Sequence, residues 1–203
     1  MKTNFFLFMA LLGSVALLQG CADDPAEENI PELITKATLT FTPTTSALAG
    51  GTVVATASDP DKDGPQELTV SGPIILAKST TYTLSIELVN ELASEDDEEY
   101  NITGEVEEEA DEHLFFFGWS DGLFSSPAGN GNIDNRADAV NYKDKDNKNL
   151  PLGLKTEWTT AATAQSGKTF RVVLKHQPDL KSQTSKSTDG ESDLDISFSM
   201  EIR

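Results

Sequence analysis

The chain is poor in cysteine, in histidine and in positive charge. Its 203 residues hold one Cys, two His and 15 Lys+Arg against 34 Asp+Glu, for a formal net charge of −19. A single Cys excludes an intrachain disulfide framework and any Cys-based zinc cluster. The shortage of basic residues argues against nucleic acid, whose phosphates need a basic surface. It argues equally against a polybasic patch on anionic lipid. No glycine-rich phosphate loop, no G-x-S-x-G elbow and no βαβ rhythm are present, which disfavours P-loop, Rossmann-type and α/β-hydrolase enzymes. Hydrophobic residues make up 37% of the chain, enough for one packed core.

The first twenty residues read as an address. Lys2 is followed by an apolar run from Phe5 to Leu18, the n-region and h-region of a secretory signal peptide. The run is short for a transmembrane helix. Leu18-Gln19-Gly20-Cys21 comes next. This string resembles the lipobox of bacterial lipoproteins. The resemblance implies cleavage before Cys21 and lipidation of its thiol and new amine. Two or three acyl chains on one residue exceed what stable membrane attachment requires. Ala22 stands where the inner-membrane retention signal of enteric bacteria would place Asp. The acidic string from Cys21 to Glu28 resembles the export tract of surface-exposed Bacteroidetes lipoproteins. It reads equally well as a solvated tether. The expected organisation is a signal peptide over 1–20, an acidic tether over 21–33 and one domain over 34–203.

From Leu33 onward the period is two. Ala37, Leu39 and Phe41 alternate with polar residues; so do Tyr82 to Leu88, Phe170 to Leu174 and Leu194 to Ile202. About nine short strands are predicted, forming an all-β, antiparallel, Ig-like β-sandwich. Gly72-Pro73 predicts a break within Leu68–Leu76. One segment departs from the strand pattern. Ile102, Val106 and Ala110 fall at i, i+4 and i+8, predicting a short acidic helix from Thr103, its N-cap, to Glu112.

Several constellations could carry chemistry. Asp59, Asp61 and Asp63 precede Gly64 as D-x-D-x-D-G, the opening half of an EF-hand-type loop. Val70 stands where the closing Glu belongs, with Glu67 as a substitute ligand. The readings are a structural Ca2+ or a plain polar turn. Asp144 and Asp146 repeat the pattern without its Gly, and a hairpin loop is the simpler reading. The two histidines are His113 and His176, and the sequence does not show whether they lie near each other. Glu109, Glu112 and His113 could form a metal site. They could equally be solvated charges beside a strand-end His. Leu114–Trp119 carries large side chains on both faces, as a doubly buried strand or a ligand platform would. The long loop 118–135 includes Trp119 and Phe124, the residues expected to touch a ligand if one binds there.

The lipobox, the acidic tether, the Asp-rich turn, the string Glu107-Glu-Glu-Ala-Asp-Glu-His-Leu-Phe-Phe-Phe117 and Leu174-Lys-His-Gln-Pro178 together resemble a group of small lipoproteins from flavobacteria. The resemblance implies an outer-membrane, surface-exposed location and transfers no active residues. The expectation is a lipid-anchored protein with a binding or adhesion role and no enzymatic activity. Its partners would be the membrane, through Cys21, and an extracellular ligand or protein. One alternative is an accessory protein that captures glycan, metal or haem for a transporter. A carboxylate-based hydrolase would need two facing carboxylates in a cleft.

Overall fold

The computed structural model describes residues 32–44, 50–59 and 68–203. The signal peptide, Cys21 and most of the tether lie outside them, as do Asp61, Asp63 and Glu67 of the Asp-rich turn. Two sheets face one another. The first holds six strands in the order β3-β2-β1-β5-β8-β7. These are β1 (Lys36–Pro43), β2 (Val53–Ser58), β3 (Thr69–Val70), β5 (Thr81–Val89), β7 (Phe124–Ser126) and β8 (Lys155–Thr160). The second holds β4 (Ile74–Leu76), β6 (His113–Trp119), β9 (Gln165–His176) and β10 (Glu191–Ile202), in the order β4-β10-β9-β6.

The alternation seen in the sequence is the cause of this layering. Ala37, Leu39 and Phe41 of β1 and Tyr82 to Leu88 of β5 point inward from one sheet. Phe170 to Leu174 of β9 and Leu194 to Ile202 of β10 point inward from the other, and all join one core. Aromatic rings knit its centre. Trp158 packs edge-on against Trp119 at 5.0 Å, Phe170 at 5.1 Å and Phe117 at 5.5 Å. Such contacts add roughly 0.5–1.5 kcal/mol per pair beyond area burial.

Two expectations are revised, the wholly antiparallel pairing and the helix cap. The Leu68–Leu76 run divides between the sheets, β3 going to one and β4 to the other. The break falls at Gly72-Pro73, where the proline has no N–H to give a ladder. β4 then pairs with β10 in parallel, so the sandwich is not wholly antiparallel. The helix α1 runs from Ile102 to Glu108, and its N-cap is Asn101, whose side chain accepts from the Gly104 N–H. Thr103 instead bonds both the N–H and the C=O of Leu88, fastening α1 to β5. Val140 and Tyr142 lie in a loop, not in a strand. The loop that holds them lies over the outer face of β6, where Ile133 and Tyr142 pack on Leu114, Phe116 and Val173.

That covering explains why β6 is buried on both faces although it is an edge strand. Tyr142 Oη donates to the Phe115 C=O, and Asn132 accepts from the Phe117 N–H while its own N–H donates to the Phe117 C=O. Gly131 makes the close approach feasible. Its φ is +102°, and a Cβ there would stand 2.0 Å from the Phe117 oxygen.

Trp119 and Phe124 are therefore core residues, 4% and 5% exposed, with ring centroids 5.9 Å apart. They present no open ring face, which corrects their assignment as ligand contacts. The Asp144–Asn149 segment is a self-satisfied turn. Asp144 accepts from the Gly153 and Lys155 N–H groups, and Asp146 from those of Lys148 and Leu150. Asp146 also forms a buried ion pair with Lys181 at 3.0 Å. Asp59, the described residue of the Ca2+ candidate, is 3% exposed at the end of β2 and donates its N–H to the Thr35 C=O.

Candidate metal centre

One end of the four-stranded sheet gathers both histidines. His113 opens β6 and His176 closes β9, and the register sets them directly opposite each other. Their rings stack with centroids 4.6 Å apart and planes 9° apart. His176 also faces Glu191, the first residue of β10. Gly190 lets the chain enter there, because a side chain at its φ of +72° would strike the His176 carbonyl. Two residues on, β10 carries a bulge. Ser192 pairs with Lys175 and Leu194 with Leu174, leaving Asp193 as the extra residue. Bulges re-aim side chains, and here the Asp193 carboxylate is fully buried beside His113.

The hydrogen-bond pattern of the imidazoles is the informative feature. His113 Nδ1 is 3.2 Å from the Glu109 carbonyl oxygen, which can only accept, so the proton belongs on Nδ1. Nε2 is then a lone pair. It is buried with no hydrogen-bond partner and faces Asp193 Oδ2 at 3.7 Å and Glu32 Oε1 at 3.9 Å. Neither carboxyl is close enough to hydrogen-bond it. Asp193 Oδ2 is likewise buried and unbonded. His176 repeats the theme. Its Nε2 lies 3.2 Å from Glu112 Oε2, and its Nδ1 is buried without a partner.

Burial and like charge act on these groups together. Burial, followed by a hydrogen bond to Glu105 and the nearby charges of Glu105, Asp193 and Glu109, pushes the Glu32 carboxyl up to about 8. Burial pushes Asp193 up to about 6. Burial, then the adjacent His176, holds His113 down to about 4. Each group resists its charged form as the site stands, which is the condition a cation relieves.

The donor set fits a borderline divalent ion. Imidazole and carboxylate together suit zinc, iron, nickel or manganese. One ligand atom from each of Glu109, His113 and His176 can be chosen so that all lie within 4.8 Å of one another. Two ligands of a tetrahedral ion stand ~3.4 Å apart, close to the 3.7 and 3.9 Å at which Asp193 and Glu32 each face His113 Nε2, although neither carboxylate belongs to that group of three. Metal-bound imidazoles characteristically donate their second nitrogen to a carbonyl or carboxylate. Glu109 C=O and Glu112 supply those acceptors here.

Of the residues the sequence singled out, Glu109, Glu112, His113 and His176 are brought together. Asp193 and Glu32 were missed. Asp193 looks like an ordinary polar strand residue until the bulge is known. Glu32 falls within the segment read as tether, yet its N–H donates to Asp193 Oδ1 and its carboxyl faces His113.

Beside this cluster an open cleft of about 510 Å3 is lined by Glu32, Leu33, Leu92, Ile102 and Glu105 among others. Glu32 and Glu105 share a hydrogen bond and therefore touch. Glycoside hydrolysis needs its two carboxyls about 5 Å apart or more, so this pair is not so arranged. Among the described residues, no helix is long and apolar enough to cross a membrane. Compared with protein-family models, with curated proteins and with solved structures, the chain matches none.

Proposed function

We propose that this chain is a lipid-anchored surface protein that captures a divalent transition metal ion. Of the solutes considered from the sequence, metal is the one the geometry favours. The observation that carries the reading is the buried His113 Nε2, which faces Asp193 and Glu32 without a hydrogen bond, beside the unpartnered Nδ1 of His176. His113 and His176 would be the nitrogen ligands, with carboxylates from Asp193, Glu32 and Glu109. Glu112 and the Glu109 carbonyl would orient the two rings. An ion seated there would also fix Glu32, the residue at which the tether enters the domain.

The test is a calorimetric titration of the full-length protein with Zn2+. Stoichiometric binding is expected. His113→Ala and His176→Ala should each weaken it at least about 100-fold. Glu112→Gln, which spares the ligands, should cost about 10- to 100-fold, as lost orienting partners of metal ligands do. Wild-type affinity in both His variants would refute the site.

The anchor is tested separately. Cys21→Ser removes the chain's one thiol, so the variant should leave the membrane fraction for the soluble one. Retention after an alkaline wash would overturn the lipidation reading. Its failure would leave the metal site untouched, since Cys21 is not among the proposed ligands.

A further inference from the structure

A second pocket lies away from the histidines, between the loop that covers β6 and the turn that precedes β10. It encloses about 320 Å3, and its walls include Asn132, Asn135, Arg136, Lys186, Ser187 and Thr188. Two of these are cations, in a chain whose formal charge is −19.

The walls are held by their own bonds. Ser187 Oγ donates to the Ile133 C=O and ties one loop to the other. The side chain of Gln177, fully buried, donates to the carbonyls of both Lys186 and Asp189. Asn135 accepts from the Ala137 N–H and donates to Asp138. The Asn132 amide is committed to Phe117 and Tyr142. The pocket is thus preformed, and its asparagines spend their donors on the fold.

Arg136 is the exception. Its Nε is buried and has no hydrogen-bond partner. Among the described residues its guanidinium pairs with no carboxylate, although the protein offers acidic groups everywhere and Asp134 lies on the same pocket. A buried guanidinium nitrogen without a partner is costly. A guanidinium is a rigid fork matched to a carboxylate or phosphate. Lys186 adds a second, more mobile positive charge at the exposed edge.

We infer that this pocket binds the oxyanion group of a small ligand, a carboxylate or a phosphate, with Arg136 as its bidentate partner and Lys186 as a supporting charge. The acidity of the rest of the surface sharpens the site. The field of the whole protein repels free anions, so only an anion small enough to enter the pocket is held.

Two probes separate the sources of that chemistry, inorganic phosphate and D-glucuronate, each titrated calorimetrically into the full-length protein. Saturable binding of at least one is expected. Tighter binding of glucuronate assigns a sugar acid, and tighter or equal binding of phosphate assigns a free oxyanion. Arg136→Gln should weaken binding by about 10- to 100-fold, the worth of one charge-assisted pair. Arg136→Lys should fall between, because it keeps the charge and loses the fork. His113→Ala should bind the anion as wild type does, which separates this pocket from the metal centre. A melting curve for Arg136→Gln that matches wild type confirms its fold. If neither probe binds at millimolar concentration, or if Arg136→Gln binds as wild type does, the inference is wrong.

Discussion

Lys181→Met is expected to lower the stability of the folded chain by about 3–5 kcal/mol, the usual cost of removing one partner of a buried ion pair. Lys181 and Asp146 have side chains 1% and 0% exposed and stand 3.0 Å apart. The ammonium also donates to the Ala110 carbonyl, so it joins the turn after α1 to the 144–150 turn. Burial holds the Lys181 amine below its usual range, and Asp146 opposes that shift. Taking Lys181 away leaves the Asp146 charge buried with only two backbone N–H donors, those of Lys148 and Leu150. In a chain of this size the loss corresponds to roughly 6–20 °C in melting temperature. The double variant Lys181→Met/Asp146→Asn should recover much of it, because Asn keeps the accepting oxygen and drops the charge. Urea unfolding measures both. A loss below about 1 kcal/mol for Lys181→Met would mean that solvent reaches the pair.

Trp158→Ala should cost a comparable amount, about 3–5 kcal/mol, through the cavity it opens. Trp158 is fully buried, and its Nε1 donates to Thr156 Oγ1 at 2.7 Å. Its ring meets Phe117, Trp119, Phe124 and Phe170. The first two rings that β6 contributes to this cluster would lose a common neighbour, and the two sheets would lose their central contact. Guanidinium unfolding followed by far-UV circular dichroism reads the change without relying on the lost indole. A variant within about 1 kcal/mol of wild type would show that the cluster repacks around the gap.

The strands were legible because burial of one face imposes a period of two, as in β1, β5 and β10. The three-residue β7 was not, since Phe124–Ser126 is too short to show any period. The helix was legible from Ile102 and Val106, whereas its cap was not. Asn101 and Thr103 are both good capping residues, and the choice was made by Leu88, a distant strand residue that Thr103 serves instead. The aromatic run in β6 admitted two readings because its second face is covered by a loop, and loops announce no partners.

The proposed metal centre was legible in kind and not in place. Four of its residues have the right chemistry in the sequence, yet His113 and His176 meet only through the β6–β9 register. Asp193 reaches them only because a bulge shifts it off the strand's alternation. Glu32 sits in an acidic run whose composition speaks of solvent. Local pattern records periodicity, while a site assembled across three strands and a domain entrance is recorded in pairings.

The sheet margins bear on how copies of this chain would meet if the proposed anchor holds them on a membrane. Three of the four marginal strands, β3, β4 and β7, are two or three residues long. The fourth, β6, has its outer hydrogen-bonding groups taken by Asn130, Asn132, Tyr142 and Leu152. Exposed edges are what let sheets of neighbouring molecules zip together. Lipid anchoring would concentrate copies of this chain in two dimensions, where such zippering is most rapid. A domain whose β6 margin is this occupied could stand beside its own copies and offer them no pairing along that margin.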